Sequence, residues 1–91
     1  MAFKDSKLVS ATLYEVENLG NYVFYNCVKL KSVELGEVKS IGVYAFGDCA
    51  VLDTLSFAGG STAWGEVVKG ANWADGIKAT TITCTDKVVE I

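Results

Sequence analysis

Thiols are the most reactive side chains in this sequence, which has three cysteines and no histidine. The odd number excludes a complete set of disulfides within one chain. Without histidine or a C-x-x-C pair, a zinc site would lack its usual ligands. We therefore predict no metal site, and we interpret Cys27, Cys49 and Cys84 as small buried hydrophobic residues.

Carboxylates are the next candidates for chemistry. The absence of histidine removes Ser-His-Asp and Cys-His arrangements. Glycoside hydrolysis needs two acids that converge on a pocket, whereas Glu34 and Asp53 belong to predicted strands that form a flat face. We expect Asp53 to form an exposed ion pair with Lys31, worth under ~1 kcal/mol. No phosphate loop, EF-hand or cofactor motif is present, so the sequence predicts neither an enzyme nor a cofactor.

Two tryptophans, Trp64 and Trp73, allow two interpretations. They could form an aromatic platform for a sugar, or they could seal the end of a hydrophobic core. We favour the second, because a helix that covers a core buries its largest side chain.

Charge and hydropathy exclude two classes of partner. A net charge of −3 with singly scattered basic residues does not suit nucleic acid, whose phosphates need clustered Lys and Arg. No apolar run approaches the ~20 residues that span a bilayer. The first seven residues lack the apolar stretch of a secretory signal, which indicates either an intracellular chain or a piece of a longer or processed protein.

The elements that must position these residues come from an internal repeat of 22 residues. Residues 16–27 match residues 38–49 without a gap, and the register continues from 30–35 to 52–57. One repeat earlier, the segment from Leu8 to Leu13 aligns with residues 30–35. Upstream of Leu8 the register is lost, since Asp5 stands at the cysteine position. We therefore predict that the chain begins partway through a repeat.

Each repeat predicts the same local structures. A Leu-x-x-Val-x-Leu run forms a short strand with its apolar side chains in a stack. Gly20 and Gly42 are predicted at sharp turns that need positive φ. Residues 21–26 and 43–48 are predicted to form single helical turns with Tyr and Phe on one side. A unit this small cannot bury its apolar face alone, so the units must stack.

Stacking brings equivalent residues together. Cys27 and Cys49 would lie on adjacent units, ~4.8 Å apart in the ladder direction. That separation would permit a disulfide, but a column of identical residues is more simply a packing ladder.

One segment carries a family resemblance. Residues 40–49, Ser-Ile-Gly-Val-Tyr-Ala-Phe-Gly-Asp-Cys, followed by Leu52, resemble the S-I-G-x-x-A-F-x-x-C-x-x-L signature of BspA-like leucine-rich repeats. The sequence departs from the family pattern in having no proline. The resemblance implies an α/β repeat solenoid, a right-handed coil with short parallel strands, one-turn helices and a C-terminal cap of a helix plus strands. It also implies a bacterial surface or secreted protein that binds other proteins.

The C-terminal third departs from the repeat. We predict a helix from Thr62 to Lys69, capped by Ser61 or Thr62 and ended by Gly70, and then strands at 80–84 and 88–91. The segment is similar to the ending of many BspA-like proteins. The predicted organisation is therefore a single leucine-rich-repeat domain over residues 1–91, with repeats at 8–57 and a cap at 58–91.

The predicted function depends on the outward face of the strands. Its candidate partner surface consists of Lys31, Ser32, Glu34, Asp53, Thr54 and Ser56. Three strands span only ~10 Å, so this surface alone predicts weak binding. Two functions remain open. One is a non-enzymatic module that binds an unidentified protein, as the C-terminal part of a bacterial surface or secreted protein. The other is a stand-alone self-assembling module, whose first strand, from Leu8 to Leu13, pairs with a second copy or is covered by residues 1–7.

Overall fold

The computed structural model describes residues 2–91, and its regular secondary structure consists of short strands and one short helix, connected by turns. The strands and the helix, in chain order, are β1 (Ser10–Leu13), β2 (Asn18–Leu19), β3 (Ser32–Leu35), β4 (Ser40–Ile41), β5 (Thr54–Phe57), α1 (Ser61–Glu66), β6 (Val68–Lys69), β7 (Thr81–Thr83) and β8 (Val88–Glu90).

The strands form two sheets that the chain enters alternately. The first has the order β1-β3-β5-β7-β8, and the second has the order β2-β4-β6. All pairs are parallel except β7 with β8. Ser10 lies opposite Ser32, which lies opposite Thr54, so the sheet register reproduces the 22-residue repeat. The prediction of a repeat fold with short parallel strands is confirmed.

Alternation within each strand explains where the core lies. In β3 the side chains of Val33 and Leu35 are buried, while Ser32 and Glu34 face outward, and β5 repeats this pattern. Among the described residues, no polar or charged residue is fully buried. The interior is therefore held together by apolar packing and by backbone hydrogen bonds between units.

The segments between the strands differ from the prediction. Residues 21–26 and 43–48 form tight turns rather than helical turns, with positive φ at Tyr22, Asn26, Tyr44 and Asp48. Alternate amides bond to the next unit: the N–H of Phe24, for example, donates to the carbonyl of Ala45 at 2.8 Å. The amides between them bond three residues back, as the N–H of Tyr25 does to the carbonyl of Tyr22 at 3.1 Å. Bonding between units therefore takes the place of a continuous helical pattern.

Tyrosine and phenylalanine also lie on opposite sides of these turns, not on one side as predicted. The rings of Phe24 and Phe46 are buried and stack with their centroids 5.4 Å apart. Tyr22 and Tyr44 form a second, half-exposed stack at 5.5 Å. Tyr22 and Tyr44 have positive φ whereas Phe24 and Phe46 do not, so the backbone within each turn is not regular and the two kinds of ring face different ways.

The N-terminal segment continues the repeat, which overturns the prediction that the register is lost. The Phe3 ring stacks on Phe24 at 5.2 Å, and the Phe3 N–H donates to the Val23 carbonyl at 2.8 Å. Asp5 has a φ of 62°, like Asn26. The register shifts by one residue because one residue separates Ser6 from Leu8, whereas two separate the equivalent Cys27 and Leu30.

This segment does not cover the first strand. The N–H groups of Phe3 and Asp5 bond to Val23 and Tyr25 in the turn of the next unit. The covering role predicted for residues 1–7 is therefore wrong for the part that is described, residues 2–7.

Close approach between units, rather than positive φ, explains the glycine at position 42. Neither Gly20 nor Gly42 has positive φ. A Cβ on Gly42 would lie 2.6 Å from the Asn21 nitrogen of the preceding unit. A Cβ on Gly20 would meet nothing within 4 Å. The predicted reason for these glycines was wrong, because the restriction comes from the neighbouring unit.

The helix is shorter than predicted. It ends at Glu66, and Val68–Lys69 pairs with β4 as strand β6. Gly42 and Gly70 occupy equivalent positions in successive units: the N–H of Gly42 donates to the carbonyl of Leu19, and the N–H of Gly70 donates to the carbonyl of Ile41. They are 28 residues apart, which is the 22-residue repeat plus the 6 residues of the helix. The helix is thus an insertion into a further repeat unit.

Asp86 takes the capping role that was predicted for Ser61 or Thr62. The helix begins after Gly60, and this N-cap residue has no side chain with which to cap the helix. Instead, the Asp86 carboxylate accepts the Ser61 N–H and the Ser61 hydroxyl, each at 2.8 Å. These two hydrogen bonds hold the pKa of Asp86 below its usual value of 3.8. The β7–β8 connection is therefore tied to the start of the helix.

Replacement of Asp86 by alanine should lower the Tm by roughly 4–8 °C, because two hydrogen bonds at the helix start are lost. The lowered pKa means that the carboxylate stabilises the fold above its unfolded pKa, and that this contribution is lost as the pH falls through the folded pKa. Thermal unfolding at neutral and acidic pH tests this. The Tm difference between wild type and Asp86→Ala should shrink at acidic pH, and a constant difference would contradict it.

Candidate partner-binding face

The outward face of the five-stranded sheet contains the six residues predicted to bind a partner. Its strand register forms two polar columns, Ser10/Ser32/Thr54 and Thr12/Glu34/Ser56. All of these side chains are exposed or half-exposed. Strand alternation directs Ser32, Glu34, Thr54 and Ser56 outward. Lys31 and Asp53 lie immediately before β3 and β5, and the Thr54 hydroxyl donates a hydrogen bond to Asp53.

Lys31 and Asp53 form the exposed ion pair that the sequence predicts. The Lys31 ammonium lies 2.8 Å from the Asp53 carboxylate, which also accepts a hydrogen bond from the Thr54 hydroxyl at 2.9 Å. The hydrogen bond from Lys31 is the main reason that the pKa of Asp53 is lowered. The pair stays accessible, since 62% of the Lys31 side chain is exposed.

Tyr14 belongs to this face, although the sequence did not indicate it. Its hydroxyl donates to the Glu34 carboxylate at 3.1 Å, and the Thr12 hydroxyl donates to the same oxygen at 3.2 Å. The hydrogen bond to Glu34 raises the pKa of Tyr14. Tyr14 follows β1 directly and is 60% exposed. Its position immediately after a strand is the signal that could have identified it.

The face is also wider than three strands. β7 pairs with β5, with Thr83 opposite Ser56, and Thr81 and Thr83 are exposed on either side of buried Ile82. These threonines extend the rows of hydroxyl groups by one strand. The arrangement offers hydroxyls, carboxylates, a lysine and an exposed tyrosine to a polar partner.

The cysteines pack as predicted. The Cys27 thiol donates to the Phe3 carbonyl at 3.1 Å, and the Cys49 thiol donates to the Phe24 carbonyl at 3.1 Å. Both are buried and unbonded to each other, so they form a packing ladder rather than a disulfide. Cys84 lies elsewhere, at the end of β7. Burial raises the pKa of the Cys49 thiol to about 11 and also raises those of Cys27 and Cys84.

We expect the three native thiols to react at least ~100-fold more slowly with a disulfide reagent near pH ~8 than the unfolded chain does, because they are buried and protonated. Absorbance of the released thiolate in dilute buffer and in concentrated guanidinium chloride measures this. A Val51→Cys variant provides the control, since Val51 is 41% exposed and its replacement should react at once. Equal rates for all four thiols would contradict the prediction.

The tryptophans pack against the core and against each other. Trp64 is 5% exposed, and its ring lies 5.2 Å from Phe57 and 5.7 Å from Trp73. Trp73 is half-buried and meets the edge of Phe46 at 6.3 Å. The core-sealing interpretation is confirmed for Trp64.

Residues 2–91 contain neither a cluster of metal ligands nor a helix that could span a membrane. No group of three or more His, Cys, Asp or Glu side chains is placed to hold a metal ion in this part of the chain. No helix in the same residues is long and apolar enough to cross a bilayer.

The family follows from the sequence match and agrees with the repeat geometry. The sequence model of the protein family described as BspA type leucine rich repeat region matches residues 1–69, about three quarters of the chain. The protein therefore belongs to the BspA-type leucine-rich-repeat family. No curated protein and no solved structure matches the chain significantly.

Proposed function

We propose that this protein is a non-enzymatic, protein-binding module with an adhesive role, and that its partner contacts the outward face of the five-stranded sheet. The observation that carries the proposal is the polar surface built by the register of β1, β3, β5 and β7. Regular strands hold these side chains in fixed positions, so a partner can be bound with little loss of side-chain freedom.

The charges of the face favour a partner with both charge signs. Glu34 accepts two hydrogen bonds from its own sheet and keeps further acceptor capacity, and Lys31 and Asp53 lie side by side. Tyr14 adds an exposed aromatic ring, the type of residue that is enriched where binding energy is concentrated. We propose Tyr14 as the centre of the contact, surrounded by Lys31, Glu34 and the hydroxyl rows.

The proposal extends to architecture and location. We propose that the parallel sheets are the walls of a right-handed solenoid, with the described units stacked along its axis and residues 58–91 covering one end. The antiparallel strand β8 supports this role, because it pairs with the last parallel strand of the sheet. We further propose a bacterial surface or secreted location, where the chain is the C-terminal part of a longer repeat protein.

The experiment compares variants of the two sheets. The chain is immobilised and purified host extracellular proteins are passed over it in a surface plasmon resonance panel. For any protein that binds, Thr54→Arg should raise the Kd at least ~10-fold, because Thr54 is exposed in the middle of the proposed face. Ser40→Arg puts the same side chain on β4 of the other sheet and should change the Kd by less than ~2-fold.

The opposite pattern would contradict the proposal. If Ser40→Arg abolishes binding while Thr54→Arg has no effect, the partner contacts the three-stranded sheet instead. Circular dichroism of both variants must show the wild-type fold, so that a loss of binding reflects the surface and not unfolding.

Self-assembly is the second candidate function, and a separate observation favours it. β1 is the first strand of its sheet, and among the described residues it pairs only with β3. An unpaired edge presents backbone N–H and C=O groups that can bind another strand. This candidate therefore concerns the edge of the sheet, whereas protein binding concerns its outward face.

A further inference from the structure

A groove of about 320 Å³ lies between the connection that follows β3 and the helix α1. Residues 37–39 line one side of it, and Ala63, Glu66 and Val67 line the other. Ligand pockets usually have volumes of about 300–1,000 Å³, so this groove is large enough for one side chain of a partner but not for a large ligand.

The inserted helix explains why the groove exists. Residues 36–39 connect β3 to β4, whereas the longer segment 58–67 connects β5 to β6 in the next unit. In a regular stack, each segment covers its counterpart in the neighbouring unit. The longer connection does not follow the path of the shorter one, so part of the surface of residues 37–39 stays uncovered. The groove therefore lies inside the chain, where the 22-residue repeat is interrupted.

The floor of the groove is apolar. Val38, Phe57 and Val67 are buried residues of the core, and their surfaces line it. Ala63 adds the methyl group of an exposed helix residue. An aliphatic chain that lay on this floor would be removed from water together with the surface beneath it, which favours its binding.

The rim of the groove is acidic. Glu37 belongs to one side and Glu66 to the other, and within residues 2–91 neither carboxylate forms an ion pair. Lys39 also lines the groove, but its ammonium lies 3.1 Å from the carboxylate of Glu17. Lys69, which follows the helix, donates to backbone carbonyls. The two lysines on this side of the chain are therefore engaged elsewhere, and the two glutamates remain available to a cation.

We propose that this groove binds the side chain of a lysine or an arginine of a partner protein. Such a side chain joins an aliphatic stem to a cationic head. The stem matches the apolar floor, and the head matches the carboxylates of Glu37 and Glu66. A neutral apolar side chain would leave both carboxylates without a partner, and an acidic one would be repelled by them. The groove shares no residue with the outward face of the five-stranded sheet, so it is a second site, beyond the proposed function.

Titration of the isotope-labelled 91-residue chain with a tripeptide, followed by NMR, tests the site. The tripeptide is Gly-Lys-Gly with both ends blocked, so that its side chain carries the only charge. Because exposed charge pairs contribute little energy, we expect a Kd on the order of 1 mM. The amide signals of Glu37, Ala63 and Glu66 should shift and reach saturation. Those of Ser32 and Thr54, on the outward face, should not change.

Three further tripeptides separate the contribution of the charge from that of the stem. Gly-Arg-Gly should bind with a Kd within ~3-fold of that of Gly-Lys-Gly, since it has the same combination of stem and cation. The norleucine tripeptide has the stem without the charge, and Gly-Glu-Gly has the opposite charge. For each of these two, the Kd should be at least ~5-fold higher than for Gly-Lys-Gly. Equal binding of the norleucine tripeptide would overturn the recognition of a cation.

Variants of the chain test the residues of the groove. The double variant Glu37→Gln with Glu66→Gln keeps the shape of both side chains and removes their charge, so it should raise the Kd for Gly-Lys-Gly at least ~5-fold. Glu15→Gln is the matched control, because Glu15 is exposed and lies outside the groove. Ala63→Phe fills the groove and should abolish binding. Thr62→Phe puts the same ring on the neighbouring exposed helix residue, outside the lining, and should leave the Kd unchanged.

Two other results would overturn the proposal. One is the absence of saturable shifts at Glu37, Ala63 and Glu66 up to about 10 mM Gly-Lys-Gly, about ten times the expected Kd. The other is an unchanged Kd for the double glutamine variant, which would remain decisive even if the larger ring of Ala63→Phe disturbed the helix. Thr54→Arg, which tests the outward face, should leave binding of the tripeptide unchanged. Failure of the groove and failure of the proposed partner-binding face are therefore measured separately.

Discussion

Replacement of Phe46 by alanine should lower the free energy of unfolding by about 3–5 kcal/mol. The Phe46 ring is completely buried, stacks on Phe24 at 5.4 Å and meets Trp73 at 6.3 Å. Its loss would leave a cavity in the middle of the aromatic column. A small domain has a total stability of only ~5–10 kcal/mol, so the loss removes a large part of it. The variant should therefore be partly unfolded at about 37 °C. Urea unfolding followed by circular dichroism measures the change.

The end of the same column provides the control. Phe3 stacks on Phe24 in the same way but is 46% exposed, and only one of its faces contacts the core. Phe3→Ala should therefore lower the free energy of unfolding by less than half as much as Phe46→Ala does. Equal decreases for the two variants would mean that burial within the stack of rings does not determine stability in this chain.

The second large effect is expected at Gly42. An alanine there would place its Cβ 2.6 Å from the backbone nitrogen of Asn21 and 2.6 Å from the carbonyl carbon of Gly20. Backbone atoms cannot move aside as a flexible side chain can, so the two units must separate locally. We expect Gly42→Ala to lower the free energy of unfolding by about 3 kcal/mol, as measured by urea unfolding.

Gly20 is the equivalent residue one unit earlier, which makes Gly20→Ala a matched control. A Cβ at Gly20 meets nothing within 4 Å, and Gly20 does not have positive φ. Gly20→Ala should therefore change the stability by less than ~0.5 kcal/mol. If Gly20→Ala strongly lowered the free energy of unfolding, or Gly42→Ala left it unchanged, close contact between units would not explain why glycine is required.

The repeat could be read from the sequence because it depends on periodicity alone. Identical residues 22 apart, such as Cys27 and Cys49 or Leu30 and Leu52, become neighbours in a stack whatever the detailed turn geometry is. Strands β1, β3 and β5 were predicted within two residues for the same reason, whereas the strands of the three-stranded sheet were not predicted. The alternation of Val33 and Leu35 with polar residues also predicted which face is buried.

The local geometry between strands could not be predicted, because hydrogen bonds between units determine it. The turn around Phe24 bonds to Ala45 in the next unit, so its preference for a helical turn was overridden. The pairing of Val68–Lys69 with β4 ended the helix early for the same reason. The continuation of the repeat at Phe3 was missed because a one-residue shift disguises it in the sequence.

Part of the candidate site could likewise be predicted from the sequence, and part of it is set by tertiary contacts. Ser32, Glu34, Thr54 and Ser56 lie on one face because strand alternation and a 22-residue register place them there, and both properties can be read from the sequence. The same register pairs Lys31 with Asp53, just before the strands. Tyr14 joins them through a hydrogen bond to Glu34, a residue 20 positions later, and Thr83 joins them through the pairing of β7 with β5. Neither of these contacts follows the 22-residue spacing.

The sequence by itself determined the family, the repeat length and the face that is buried, because each follows from a regular pattern of apolar residues. The tertiary structure alone decided where helical turns give way to tight turns, why Gly42 is required, and how Asp86 caps a helix 25 positions earlier. The physical reason is that a unit of this size does not bury its own apolar face or satisfy its own backbone, so its local conformation is set by the units stacked against it.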